Sequence, residues 1–109
     1  MNLNDYQLEA LRTAPDQGQR GTRIVAALGL AGEVGEFVEM VKKEAFHGKP
    51  LDVDAAGKEL GDVLWYLSLA AESLGLKLSA IAAGNIGKLR ARYPDGFVHG
   101  GGNREDDGS

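Results

Sequence analysis

The chain has 109 residues, 43% of them hydrophobic and 26% charged, with a net charge of -4 and no cysteine. That length fits one domain near the lower end of what buries an adequate core unaided, and completion by a partner subunit is consistent with it. The acidic balance argues against general binding to nucleic-acid polymers or membrane surfaces, disulfides are excluded, and no apolar run approaches the roughly 18–20 residues of a membrane span. The opening "MNLNDYQLEA" has neither a basic n-region nor an apolar h-region, so the expected location is cytoplasmic.

Three prolines, Pro15, Pro50 and Pro94, divide the chain into four helical stretches. The first is expected from about Asn4, as N-cap, to Thr13, with Tyr6, Ala10 and Leu11 as a modest apolar stripe. The second, the longest, is expected from near Thr22 to about Phe46, with Ile24, Leu28, Ala31, Val34, Phe37 or Val38, and Val41 recurring at helical steps. Asp52 or Asp54 caps the third, which runs to about Leu74, where Gly75 supplies a left-handed C′ residue. Ser79 caps the fourth, which reaches Tyr93 before "PDG" ends it. No segment alternates as a half-buried strand would, so the expected class is all-α, a small antiparallel bundle of about four helices. The domain is expected to occupy residues 1–98, followed by a flexible glycine-rich, charged tail over 99–109.

Two phrases on the second and third helices carry the chemistry: "EVGE", Glu33–Glu36, and "ELGD", Glu59–Asp62. Acids three apart share a helical face, so each pair can converge on one point. At about 1.5 Å per residue the two pairs are offset by roughly 7 Å across an antiparallel hairpin, which a longer connection on one side can absorb. Leu30, Val34 and Phe37 crowd the first pair; Leu60, Val63 and Tyr66 crowd the second. Like charges at an apolar boundary repel and lose hydration unless cations neutralise them. All-oxygen ligation favours Mg²⁺, with Mn²⁺ as substitute. Glu39 and Glu44 are expected to face solvent, and His47 to sit exposed in the turn. Gly29, Gly32 and Gly35 serve either close helix packing or room for a ligand beside the acids.

The segments "GLAGEVGEFVEMVKK", "ELGDVLWYL" and "NIGKLRARYPDGF", with the opening "LNDYQLEALRTA", resemble the MazG-like branch of the all-α nucleoside triphosphate pyrophosphohydrolases over roughly residues 3–97. The resemblance implies Mg²⁺-dependent cleavage between the α- and β-phosphates, giving a monophosphate and pyrophosphate, in homodimers or homotetramers. Carried over by position, Glu33, Glu36, Glu59 and Asp62 match metal ligands, and Glu33 or Glu36 takes the proton of the attacking water. Asn85, Lys88, Arg92 and Tyr93 match a block that binds the nucleotide and its phosphates. Tyr66, one turn beyond Asp62 on the same face, is placed to lie against base or sugar. Two other readings stand beside this one: a phosphoribosyl-ATP pyrophosphohydrolase with the same fold, and a non-catalytic helical interaction module.

Overall fold

The computed structural model describes residues 1–97 and is all-helical, with four helices and no strands among the described residues. They are α1 (Leu3–Leu11), α2 (Gly18–His47), α3 (Val53–Ser73) and α4 (Leu78–Arg92). The expected tail lies outside the described residues.

Helix ends follow local side-chain chemistry, in places not where the sequence reading put them. The α1 cap is Asn2, not Asn4: Asn2 Oδ1 accepts the Asp5 amide at 2.8 Å, and Asp5 Oδ2 accepts the Asn2 amide at 3.2 Å. This reciprocal box, with partners three apart, satisfies two otherwise orphan donors and outcompetes a start at Asn4. Helix α2 begins at Gly18, four residues before Thr22, where Asp16 Oδ1 accepts the Gly18 amide and Gly18 adopts φ 71°. Asp52 caps α3 by accepting the Ala55 amide at 3.0 Å. Its far end closes at Gly75, whose φ of 71° lets the Gly75 amide reach Glu72 O and the Leu76 amide reach Ala71 O. That is the paired closure expected of glycine at this position.

Helix α4 starts at Leu78, and Ser79 is not its cap. Its N-cap residue Lys77 makes no side-chain cap bond, and the Leu78 amide is taken instead by Gln7 Oε1, 2.8 Å away on α1.

Helix α2 packs on α3 alone, whereas α1 lies against both α3 and α4. The connection Lys49–Asp52 borders a cavity with Met40 and Lys43, so it lies alongside the last turns of α2. The buried apolar core is correspondingly small: Ala10, Ala26, Ala56, Leu69, Ala71 and Leu78. Most of the stripe on α2 stays open, with Leu28 72%, Val38 54% and Phe46 79% exposed. A helical apolar pattern says that a face needs cover; a single neighbouring helix does not supply enough of it.

Gly29 is a packing position, because a Cβ there would overlap the ring of Tyr66, while Gly32 and Gly35 have open space. Gly29→Ala is therefore expected to lower the melting temperature. Overpacking costs about 1–3 kcal/mol against a helix-propensity gain of about 1 kcal/mol. Gly35→Ala, with nothing to clash against, is expected to leave it unchanged or raise it; thermal unfolding of the two variants checks the contrast.

Candidate acidic site between the two longest helices

The acidic phrases meet. Glu33 of α2 and Glu59 and Asp62 of α3 each bring a carboxylate oxygen within 4.8 Å of the others. Glu36, more exposed, lies outside that group, yet its carboxylate also reaches Glu59. Glu59 is thus approached from both members of the first pair. Helical spacing explains the convergence: residues three apart on each helix face the same seam, and Gly29 one turn earlier lets α2 come close against Tyr66.

The electrostatics are those of an anionic cradle short of positive charge. Glu33 Oε2 and Glu59 Oε2 are buried without a hydrogen-bond donor among the described residues. Two ionised carboxylates cannot satisfy one another, and a shared proton or a cation would relieve the pair. Accordingly the Glu59 carboxyl is pushed up to about 7, by hydrogen bonding to Glu33 and then Glu36, by burial, and by the charges of both. A cation-free folded protein holds there a proton that the unfolded chain releases near 4.5. Because the folded value is raised, this stabilisation is complete below the unfolded value and is lost as pH rises through about 7. The melting temperature of chelator-treated protein is expected to fall between about pH 5 and about pH 8, and added Mn²⁺ should restore it most at the upper end. Thermal scans across that range check both.

The donor set fits a hard divalent cation. It is all oxygen, carries several negative charges, and includes two buried carboxylate oxygens without a donor. Glu33, Glu59 and Asp62 are the residues that would hold it, with Glu36 adjacent.

The remaining candidates are placed differently. Tyr66 is half-buried, its ring on Gly29 and edge-on to Trp65 at 4.9 Å. The Trp65 indole donates to Thr13 Oγ1 at 2.8 Å, tying the residues after α1 to α3. Asn85 and Lys88 are exposed on α4; Arg92 and Tyr93 are half-buried, with the guanidinium 5.9 Å from the Tyr93 ring centre and Phe97 against that ring. Asn85, Lys88 and Arg92 share one helical face. They are not beside the acids of their own chain. The α3 and α4 axes lie 98° apart. Asp62 stands about 17 Å before the corner and Lys88 about 15 Å after it, so roughly 20 Å separates them. Glu39, Glu44 and His47 are exposed.

Tyr6, by sequence part of the α1 stripe and of the opening "LNDYQLEALRTA", also lies near the site. Burial, and then the charge of Asp62, raise the Tyr6 phenol above its usual value, which places its ring in the field of the acidic group. The sequence offers no local signal for this, because α1 meets α3 only in the folded chain.

Fold and site together define an all-helical protein with a cluster of acids where its two longest helices meet, of a composition that could hold a cation. Residues 22–97 match the family of the MazG nucleotide pyrophosphohydrolase domain, and the chain belongs to that family. A protein of Mycobacterium phage L5 described as Gene 37 protein is 32% identical over 111 residues, spanning 94% of this chain and 97% of its own length. No solved structure gives a significant match. Among the described residues, no single helix is long and apolar enough to cross a membrane.

Proposed function

We propose that the protein is a metal-dependent nucleoside triphosphate pyrophosphohydrolase, cleaving the α–β bond to release a nucleoside monophosphate and pyrophosphate. Nucleotide-pool house-cleaning is the role that suits this activity. The observation that carries the reading is the convergence of Glu33, Glu59 and Asp62, with Glu36 at Glu59, in a chain of the MazG family. Mg²⁺, or Mn²⁺ in its place, would supply charge neutralisation for the triphosphate and a lowered pKa for water when bound. The chain's own residues supply the rest. Glu33 or Glu36 takes the proton of the attacking water, Glu33 from within the cluster or Glu36 from its exposed edge. Lys88 and Arg92 hold the outer phosphates as cations, Asn85 offers both donor and acceptor to base or sugar, and Tyr66 and Tyr93 offer ring faces.

The assembly belongs to this reading: a homodimer, or a homotetramer built from it. Three features support a second copy. The α2 stripe is exposed, the radius of gyration is 16.8 Å against about 13 Å for a compact chain of this length, and the basic face of α4 is far from its own acids. A second copy covers the first, fills out the second, and brings another α4 to the acidic cleft.

Incubation with normal and modified nucleotides plus Mg²⁺ tests the proposal by pyrophosphate release. At least one nucleotide is expected to release pyrophosphate and to stop doing so with chelator. Release of orthophosphate alone, or no turnover of any nucleotide, would overturn it.

A further inference from the structure

Gln7 is one of the few buried polar side chains among the described residues, and its side-chain hydrogen bonds to them run to the corner between α3 and α4. Its Oε1 accepts the Leu78 amide at 2.8 Å, and its Nε2 donates to Leu76 O at 3.0 Å, with Glu72 Oε2 at 3.5 Å. The side-chain amide thus brackets Lys77 from both sides, serving Leu76 and Leu78 as a neighbouring backbone strand would. It also caps α4 from another helix, where the helix lacks a cap of its own.

Apolar packing holds α4 mainly at its start. The helix packs on α1 and buries Leu78, but makes no packing contact with α2, touches α3 little, and leaves Ile81, Ile86 and Leu89 exposed. Burial anchors its first turn without dictating the angle of the rest. The bonds that do act at the hinge are directional, and hydrogen bonds buried from water tolerate little angular error.

We propose that Gln7 is a positioning residue: through the α3–α4 corner it sets the orientation of α4, and so the presentation of Asn85, Lys88 and Arg92 to the phosphates of a nucleotide. This rests on the pyrophosphohydrolase reading above. The acids of α2 and α3 lie where those two helices pack on each other, whereas Gln7 bonds only the far end of α3 and the corner beyond it. The role accordingly separates two affinities that a general folding role would move together.

The test measures two binding constants in Gln7→Met, which matches the side-chain length and removes donor and acceptor, and in Gln7→Glu, which keeps the acceptor for Leu78. Mn²⁺ affinity is read by electron paramagnetic resonance, and affinity for a non-hydrolysable α,β-methylene triphosphate by calorimetry with Mg²⁺ present. In Gln7→Met, triphosphate affinity is expected to fall about tenfold, the worth of one or two buried hydrogen bonds, with Mn²⁺ affinity held within about twofold. Gln7→Glu keeps the Leu78 acceptor but turns its other oxygen on Leu76 O and Glu72, so it should lose at least as much triphosphate affinity as Gln7→Met. Adding Lys88→Ala to Gln7→Met should cost nothing more, because a misdirected helix no longer presents the lysine. Equal triphosphate affinity in Gln7→Met and the unchanged protein overturns the role, as do parallel losses of both affinities or independent losses in the double variant. Loss of helical circular dichroism in both Gln7 variants makes the residue a folding determinant and overturns it too. If the unchanged protein binds Mn²⁺ but no triphosphate, the pyrophosphohydrolase reading itself falls, and this role with it.

Discussion

Glu59→Gln is expected to lower metal-dependent pyrophosphate release by roughly a thousandfold or more, the rate equivalent of the several kcal/mol that a correctly held cation contributes. The side chain keeps its length and volume, so packing in the seam is preserved. What changes is that a carboxylate approached by both Glu33 and Glu36 becomes a neutral amide that offers an N–H donor where cation ligation needs an oxygen. The same substitution is expected to raise the melting temperature of the chelator-treated protein at about pH 8, where the wild-type cluster is ionised and self-repelling. An amide also donates to the buried oxygen of Glu33 that otherwise lacks a donor. Opposite signs for activity and stability are the diagnostic. Retained pyrophosphate release would remove the acidic cleft from the mechanism, and a fall in both quantities would mark a folding defect instead.

What the sequence could and could not disclose follows from the range of the interactions involved. Gly75 was legible, and the α3 cap was narrowed to Asp52 or Asp54, because a left-handed C′ residue and an N-cap act within one turn of the chain. The acidic pairs were legible for the same reason: a three-residue step on a helix fixes a shared face whatever surrounds it. Asn2 and Asn4 were harder to separate, since both are good caps, and the decision lay in a reciprocal partner, Asp5, three residues from one of them. The true cap of α4 was out of reach. Gln7 is 71 residues from Leu78, and local chemistry pointed to Ser79. The relation of Tyr6 to Asp62 escaped notice because it exists only once α1 crosses α3. The stripe Ile24, Leu28, Ala31, Val34, Phe37 or Val38, and Val41 is apolar by sequence, but periodicity identifies a face that needs cover without saying what covers it.

Mixing two inactive variants is expected to restore activity if the acids of one copy work with α4 of another. Glu59→Gln removes the cation cradle; Lys88→Ala combined with Arg92→Ala removes the proposed phosphate clamps. Each homodimer then has two defective sites, and each alone should be nearly silent. In a mixed dimer with composite sites, one site collects both lesions and the other collects none. Random reassortment makes half the dimers mixed, so about a quarter of all sites become intact and about a quarter of wild-type activity should return. Sites contained within one chain give no recovery, because every site then keeps its own lesion. The apolar face provides the control. Val38→Asp places a charge on a valine that is 54% exposed in one protomer, so it should leave the isolated fold standing. At an interface between copies the same charge would be desolvated without a partner. Sedimentation should then show the protein as monomer, and recovery on mixing should disappear. If Val38→Asp leaves both assembly and recovery intact, the interface lies on another face. If mixing fails while the unchanged protein is dimeric and active, α4 serves its own chain, and the roughly 20 Å between Asp62 and Lys88 has to be closed by movement at the α3–α4 corner.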